Sequence, residues 1–492
     1  MTSSRWGWDR WGLVTLTLLA WGLRLPPALV NRFHADEALY GFWGLLIGRG
    51  HDPWLLRVPV YKPPLLPYLI SGAHVLFGPW EGAPASEFVV RLPGLVAGLL
   101  MVPLTAALVR SLYRDHRAAS LAAIGVTFSP FAILFSATAF TDLPMVTLGL
   151  AAVAAVARGR PGWAGVWAGL ACAAKQTGLV WLPLVALLHW SNAPSRPVRW
   201  RAWRSLLGGW AAVVALVFAW DGVRGAWGGE SFWRLGVTGY GGLRVIWPQE
   251  LWPRLRGWLD LAQHFFVSPL VGGLLLIGLP GLAVSGWRHR SGSDLLFLAF
   301  AWVYGALHWL LAFPVWDRYL LPLVPVSALL LGRVLSRLLA LARPVRLHRL
   351  ASAACYLLLI AALLGPARDA AASRYPVGSD HGAYDGIETV TAFLRRLPEG
   401  GVVYQHWLGW HYAYYLFDAP LCQAYWPNPD WLAQDVRVFG KREPRYITFP
   451  SWESSARVEH ALAGVGYRLD PVLTTTRRDG SQSFTLYRIR SD

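Results

Sequence analysis

Apolar residues in this chain run on for some fifteen to twenty positions at a time, and charged residues gather between the runs. That is the pattern of helices meant to sit in lipid rather than on an aqueous surface. The first run, 11–30, is long enough to span, follows Arg5 and Arg10, and lacks a small-residue cleavage pattern before Arg32. It is expected to be an uncleaved signal anchor with its N-terminus inside. Further runs at 91–112, 118–138, 142–157, 162–175, 176–190, 205–222, 262–284, 295–313, 319–332 and 350–366 bring the expected crossings to about eleven. The stretch 64–78 would reach only about 22 Å as a helix, short of a hydrocarbon core of roughly 30 Å, and is expected to lie along the membrane surface.

Charge supports this topology. If 64–78 does not cross, the loops 113–117, 158–161, 191–204, 285–293 and 332–349 are all inside and all arginine-rich, while the outer loop 79–90 carries Glu81 and Glu87 with no Lys or Arg. The same parity requires a turn near Lys175-Gln176, so that 162–175 and 176–190 form two short helices. Residues from about 367 onward then lie outside. There 385–397 is patterned as a helix, and 401–407, 445–449 and 483–489 as strands, which makes a small α/β domain. The expected division is a membrane domain, 1–366, and an extracytoplasmic domain, 367–492.

Composition narrows the class. The chain has 492 residues, 55% of them hydrophobic and only 15% charged, with 29 Trp, 18 Tyr and 20 Phe. A soluble enzyme, a disordered chain and a disulfide scaffold are excluded. The net charge of +17 sits between apolar runs, where it sets orientation rather than binding nucleic acid. Lys62, Lys175 and Lys441 are the only lysines, so each lysine kept draws notice. Cys172, Cys355 and Cys422 are too far apart in sequence for a metal motif. There is no P-loop and no dinucleotide fingerprint.

Ionisable groups at membrane depth are costly, so their positions point to function. In this topology Asp36, Glu37, Lys62, Asp142, Lys175 and Arg318 converge on the outer leaflet. A site that binds a lipid-borne phosphate and deprotonates a hydroxyl needs this mixture, cations for the phosphate and a carboxylate base. The bland alternative is that each is a solvated loop residue. Asp36-Glu37 resists it, because the apolar segment 38–47 that follows is too short to cross and suits the interface. His34 lacks spaced partners for a metal and is expected to be solvated. The aromatic stretch 407–415 is read as domain core or membrane-facing surface, with sugar stacking as the sharper alternative.

At these residues the chain resembles the polyprenol-phosphate-sugar-dependent glycosyltransferases with the multispanning GT-C fold, the group containing protein O-mannosyltransferases and lipid A aminoarabinose transferases. The resemblance rests on His34-Ala35-Asp36-Glu37-Ala38-Leu39-Tyr40, on Tyr61-Lys62-Pro63-Pro64-Leu65-Leu66-Pro67-Tyr68, on Arg91-Leu92-Pro93-Gly94-Leu95-Val96-Ala97-Gly98 and on Thr141-Asp142-Leu143-Pro144. Weaker echoes are Lys175-Gln176-Thr177-Gly178 and Arg318-Tyr319-Leu320-Leu321-Pro322. The resemblance implies a polytopic α-helical GT-C membrane domain in the plasma membrane, with interfacial helices in the first outer loop. It implies that Asp36 is catalytic with Glu37 beside it, that Asp142 is the second acid, and that Lys62 contacts the lipid phosphate, with Arg318 as a further partner. Gln176 departs from the family's usual Gly, which leaves Lys175 without an assigned role.

The expected activity is transfer of a hexosyl or pentosyl group from a polyprenyl-phosphate carrier to a lipid, glycan or protein hydroxyl, with inversion and with Asp36 as general base. Asp142 would orient the acceptor or, with Asp36, hold a divalent cation. Two other classes remain open: a lipid-linked-sugar transporter or flippase, which would carry its charges at the bilayer midplane in two related halves, and a noncatalytic scaffold, which would be indifferent to Asp36→Asn.

Overall fold

Each apolar run folds as helix, and the breaks between helices fall where the sequence places proline, glycine or charge. The computed structural model describes residues 4–78, 86–192, 196–239, 244–288, 291–341 and 345–492; Glu81 and parts of three expected inner loops lie outside the described residues. Among the described helices seven are long and apolar enough to cross a membrane, or eight if the bent pair His116–Phe128 and Pro130–Ser136 is one span. Asp142–Ala157, Pro161–Ala174 and Trp181–Asn192 are shorter, and the expected count of about eleven includes them. The protein is a multi-pass membrane protein. Ala35–Gly48 and Leu65–Phe77 form the two short helices expected in the first outer loop.

Two compact units account for the chain. One holds Met1–Leu29, Asp52–Leu69 and Arg91–Gly378, the other Val30–His51, Ile70–Val90 and Ser379–Asp492. The residue pair 366/367 falls inside the helix Val345–Ala371.

In the first unit, the central problem is how to interrupt helices in an apolar setting without orphaning backbone carbonyls. Pro130 has no N–H to give the carbonyl of Val126, and the helix bends there by 56°. Arg24, fully buried in Ser4–Val30, supplies the missing donors: its guanidinium reaches the Val126 carbonyl at 3.0 Å, the Thr127 carbonyl at 3.2 Å and Ser136 Oγ at 3.1 Å. Arg254 does the same at the end of Gly292–Leu310, donating to the carbonyls of His308, Trp309, Leu311 and Phe313. Arg224 caps Leu55 and Glu230, and Arg91 donates to the Ala28 carbonyl at 3.0 Å. The planar five-donor fork of arginine suits such clusters of carbonyls.

Close helix contacts in this unit depend on glycine. A Cβ on Gly94 would lie 2.2 Å from the Thr138 carbonyl oxygen, and one on Gly98 would lie 1.9 Å from Ser136 Oγ. The Arg91-to-Gly98 motif is therefore a packing face against Ser136–Thr138 as well as an arginine cap. Pro161–Ala174 meets Arg196–Ala226 in the same way, and a Cβ on Gly165 would lie 1.9 Å from the Leu206 carbonyl oxygen.

The second unit is built on a mixed sheet. Its strands are β1 (Val402–Gln405), β2 (Cys422–Tyr425), β3 (Arg445–Pro450), β4 (Tyr467–Thr476) and β5 (Gln482–Ser491), in the order β2-β1-β3-β5-β4. β1 runs parallel to β2 and β3, while β5 is antiparallel to β3 and β4. Helices Pro429–Phe439 and Ala456–Ala463 bury Leu432, Val436, Val458 and Leu462 with Ile447 and Phe449 of β3. The expected strands at 401–407, 445–449 and 483–489 match β1, β3 and β5. The helix expected over 385–397 is confined to Ile387–Leu394, because turns through Gly382 and Gly386, both at positive φ, precede it. The stretch 407–415 contains the short helix Gly409–Tyr415, whose His411, Tyr412, Tyr414 and Tyr415 are buried, as a core reading requires.

Gly165→Ala would drive a methyl group into the Leu206 backbone, which cannot yield cheaply, and should cost about 1–3 kcal/mol. Gly208→Ala, on the facing helix with open space at its Cβ, should leave stability unchanged. Thermal unfolding of the two variants in detergent checks the contrast.

Candidate functional site

Four segments that are distant in sequence meet in the first unit. Asp142 opens Asp142–Ala157 and is 2% exposed. Its Oδ1 lies 2.5 Å from Lys175 Nζ, a salt bridge buried on both sides. Lys175 occupies the break between Pro161–Ala174 and the 3-10 turn Gln176–Val180, in extended conformation with φ −154° and ψ 139°. The turn can fold back so tightly because residue 178 is glycine: a Cβ there would meet the Ala171 carbonyl at 2.4 Å. The Lys175 ammonium also lies over the Tyr319 ring, 4.6 Å from its centroid.

Tyr319 belongs to the 3-10 turn Asp317–Leu320. Tyr304 Oη donates to its carbonyl at 2.5 Å. Asp317 Oδ2 accepts from the Gly378 N–H at 2.8 Å, which ties down the turn. Arg318, one residue earlier than Tyr319, stacks over Trp316 at 4.5 Å and Phe140 at 5.0 Å. The fourth segment arrives through Gln176, whose Nε2 donates to the Tyr61 carbonyl at 2.9 Å. Lys62 follows, 4% exposed, and precedes Pro63, which disfavours helix at the lysine. The segments that carry Lys62, Asp142 and Arg318 of the sequence reading are thus brought together through Lys175, Gln176 and Tyr319.

Lys175 is the residue whose role the sequence reading left unassigned. The Gln176 departure pointed away from it, whereas the scarcity of lysine pointed toward it. Its ion pair with Asp142 could not be read from spacing, since the two are carried by different helices.

The second unit holds the acid pair. His34 caps Ala35–Gly48: its Nδ1 accepts the Asp36 N–H at 3.1 Å, and Glu37 Oε2 accepts the His34 N–H at 3.0 Å. This is a capping box with histidine in the usual Ser or Thr position. His34, expected to be solvated, is half-buried and holds a helix terminus. Glu37 is fully buried, while Asp36 beside it is half-buried.

Residues from the distant tail complete the surroundings. Arg478 grips Asp385 in a fork of 2.8 and 2.9 Å and reaches Asn31 Oδ1 at 3.1 Å. Arg32 pairs with Glu87 at 3.1 Å and Glu388 at 3.2 Å. The Tyr384 ring stacks on His411 with centroids 4.1 Å apart. Burial holds His411 down at about 4, so it is neutral at ordinary pH, and its Nε2 faces the Phe33 carbonyl at 2.9 Å. Asp380 accepts the Tyr384 N–H at 3.0 Å through Oδ2, and its Oδ1 is buried without a partner. Burial, with the carboxylates of Glu37 and Asp385 adding to it, pushes Asp380 up to about 6. No motif flags Asp380, Tyr384 or His411; they enter through chain topology alone. Among the described residues, no group of three or more His, Cys, Asp or Glu is disposed to hold a metal ion.

Residues 61–220 match the family model of the dolichyl-phosphate-mannose-protein mannosyltransferases. The structure is similar to that of ArnT from Cupriavidus metallidurans in the apo state, with a TM-score of 0.65 at 16% identity, covering 98% of each chain. The chain has the GT-C fold. ArnT from the same organism bound to undecaprenyl phosphate gives a TM-score of 0.62, again at 16% identity and 98% of each chain. The archaeal oligosaccharyltransferase AglB from Archaeoglobus fulgidus, in complex with an inhibitory peptide and a dolichol-phosphate, gives 0.56 at 14% identity over 98% of this chain and 74% of that one. At these identities the likeness concerns the GT-C fold.

Two stability outcomes follow from this chemistry. Lys175→Met should cost about 3–5 kcal/mol, because it strands the Asp142 carboxylate, and adding Asp142→Asn should recover most of that loss. Asp380 is an acid with a raised pKa, so the native state holds its proton longer than the unfolded chain, and stability falls as pH rises from about 4 to about 6. Asp380→Asn removes that penalty and should stabilise the protein at pH 7.5 by about 1–3 kcal/mol, with the gain vanishing below pH 4. Unfolding curves of variant and wild type, compared as differences across pH, cancel the opposite contribution of His411.

Proposed function

We propose that the protein is a membrane glycosyltransferase that moves a sugar from a polyprenyl monophosphate carrier to a hydroxyl acceptor at the extracytoplasmic face of the cell membrane. The observation that carries this reading is the junction in the membrane unit where the segments bearing Lys62, Lys175 and Arg318 meet through the Lys175–Asp142, Lys175–Tyr319 and Gln176–Tyr61 contacts. Concentrated positive charge in an otherwise apolar unit suits a lipid-borne phosphate. The GT-C fold and the undecaprenyl phosphate bound to ArnT support the same donor class. The arginine-rich inner loops support an active site on the opposite, outer side.

In this reading Asp36 accepts the proton of the acceptor hydroxyl as its oxygen attacks the anomeric carbon. The bond from that carbon to the phosphate oxygen breaks on the opposite face, so configuration inverts. Lys62 and Arg318 stabilise the charge growing on the departing phosphate, and Asp142 keeps Lys175 in place beside them. Glu37, committed to the helix cap, fixes the direction of Asp36 rather than taking the proton. The acceptor in this reading is a hydroxyl carried by lipid, glycan or protein.

The test is sugar transfer by purified protein in lipid nanodiscs, using a panel of radiolabelled polyprenyl-phosphate sugars with crude membrane acceptors. Asp36→Asn should lower kcat by about 10²–10⁴ while binding of the carrier lipid persists. Lys62→Ala should weaken that binding. Turnover at the wild-type level in Asp36→Asn overturns the assignment of the base.

A further inference from the structure

Gln176 is where the chain departs from its family's usual pattern, and the structure gives that side chain a specific job. Its amide nitrogen donates to the Tyr61 carbonyl at 2.9 Å, so it grips the backbone one residue ahead of Lys62. Gln176 itself follows Lys175, whose backbone is extended at the helix break. One side chain therefore ties the segment carrying one buried lysine to the segment carrying the other.

The space for this bridge is left by a third element. Gly236 lies in the helix Phe232–Gly239. A Cβ on it would stand 3.0 Å from Gln176 Nε2 and 3.3 Å from the Tyr61 carbonyl oxygen. Both atoms of the hydrogen bond are thus packed directly against the glycine. A methyl group there would press on the amide, the movable end of a flexible side chain, and push it off the carbonyl. Glycine at 176 has no amide to offer, and alanine at 236 would crowd the amide that glutamine supplies.

We propose that Gln176 is a positioning residue for the lipid-phosphate site, its amide holding the Tyr61 carbonyl, and hence Lys62, in register with Lys175 in a gap that Gly236 keeps open. The inference rests on the reading of Lys62 as a phosphate ligand and extends it to residues outside that ligand set. It acts on binding of the carrier and on nothing in proton transfer, since Gln176 donates to backbone alone in this bridge.

The experiment measures undecaprenyl phosphate binding and transfer kinetics for the full-length protein in nanodiscs, comparing wild type, Gln176→Ala, Gln176→Glu, Gly236→Ala, the Gln176→Ala/Gly236→Ala double variant and Lys62→Ala. Loss of one hydrogen bond should weaken carrier binding and raise the donor KM about fivefold in each single Gln176 or Gly236 variant, with the acceptor KM unchanged and any fall in kcat smaller than the rise in donor KM. Gln176→Glu keeps the size of the side chain but sets an acceptor against an acceptor, so it serves if Gln176→Ala folds poorly. The double variant should be no worse than either single variant, because both remove the same bond. Additive losses, or an equal fall in kcat, overturn the positioning role. Carrier binding that is lost in Lys62→Ala but intact in all the Gln176 and Gly236 variants overturns the inference and leaves the functional reading standing. Absence of carrier binding in the wild type brings down both.

Discussion

The first unit depends on a buried pair of opposite charges, Asp142 and Lys175, 2.5 Å apart and each almost without exposure. Neither charge is tolerable alone in an apolar bundle, where desolvation of a single ion exceeds any packing gain. Holding them together dictates the local backbone. Asp142 must open a helix so that it stands at a terminus, and Lys175 must close one, with its main chain extended and the next turn folded back over Gly178. The Tyr319 ring then closes the far side of the ammonium. Charge pairing, helix termination and the meeting of four segments are one arrangement seen at three scales.

The same constraint governs uncharged backbone. A helix interrupted inside a membrane unit leaves carbonyls that water does not reach, and this chain answers with arginine. Arg24 serves the carbonyl stranded by Pro130, Arg254 gathers four carbonyls in and just beyond the last turn of a helix, and Arg224 and Arg91 hold others. These arginines carry charge, yet each donates to at least one backbone carbonyl dipole. Part of the chain's excess of arginine is therefore architecture rather than orientation or ligand binding, a use that net charge alone does not reveal.

What could be read from sequence was what depends on local pattern. Apolar runs gave the helices, and parity with the positive-inside rule gave the break at Lys175-Gln176 that the structure contains. Alternation gave β1, β3 and β5. β2 escaped because Cys422–Tyr425 is short and largely exposed, without a buried face to pattern it. β4 escaped because Pro471 and a register shift between Pro471 and Leu473 interrupt its alternation. At the site, Lys62, Asp142 and Arg318 were visible as charges next to apolar runs. The partner of Asp142 was not, because an ion pair between separate helices leaves no spacing in the chain. Asp380, Tyr384 and His411 lie hundreds of residues from Asp36 in sequence, and only the fold of the second unit assembles them.

Adjacent residues of like chemistry end in different states, and burial decides which can act. Glu37 is fully buried with an oxygen engaged by the His34 N–H, so its carboxylate is part of the helix terminus. Asp385 is held in the Arg478 fork, and its charge is neutralised there. Asp380 is buried and retains its proton to about pH 6, which makes it a poor acceptor in mildly acidic conditions. Asp36 differs from all three: it stands in the first turn of Ala35–Gly48 and keeps part of its surface exposed. A group proposed to receive a proton from an incoming hydroxyl must be reachable in this way. The capping box fixes the helix that carries Asp36, so the acid pair read as a unit in the sequence divides into a buried member bound into the helix terminus and a partly exposed neighbour.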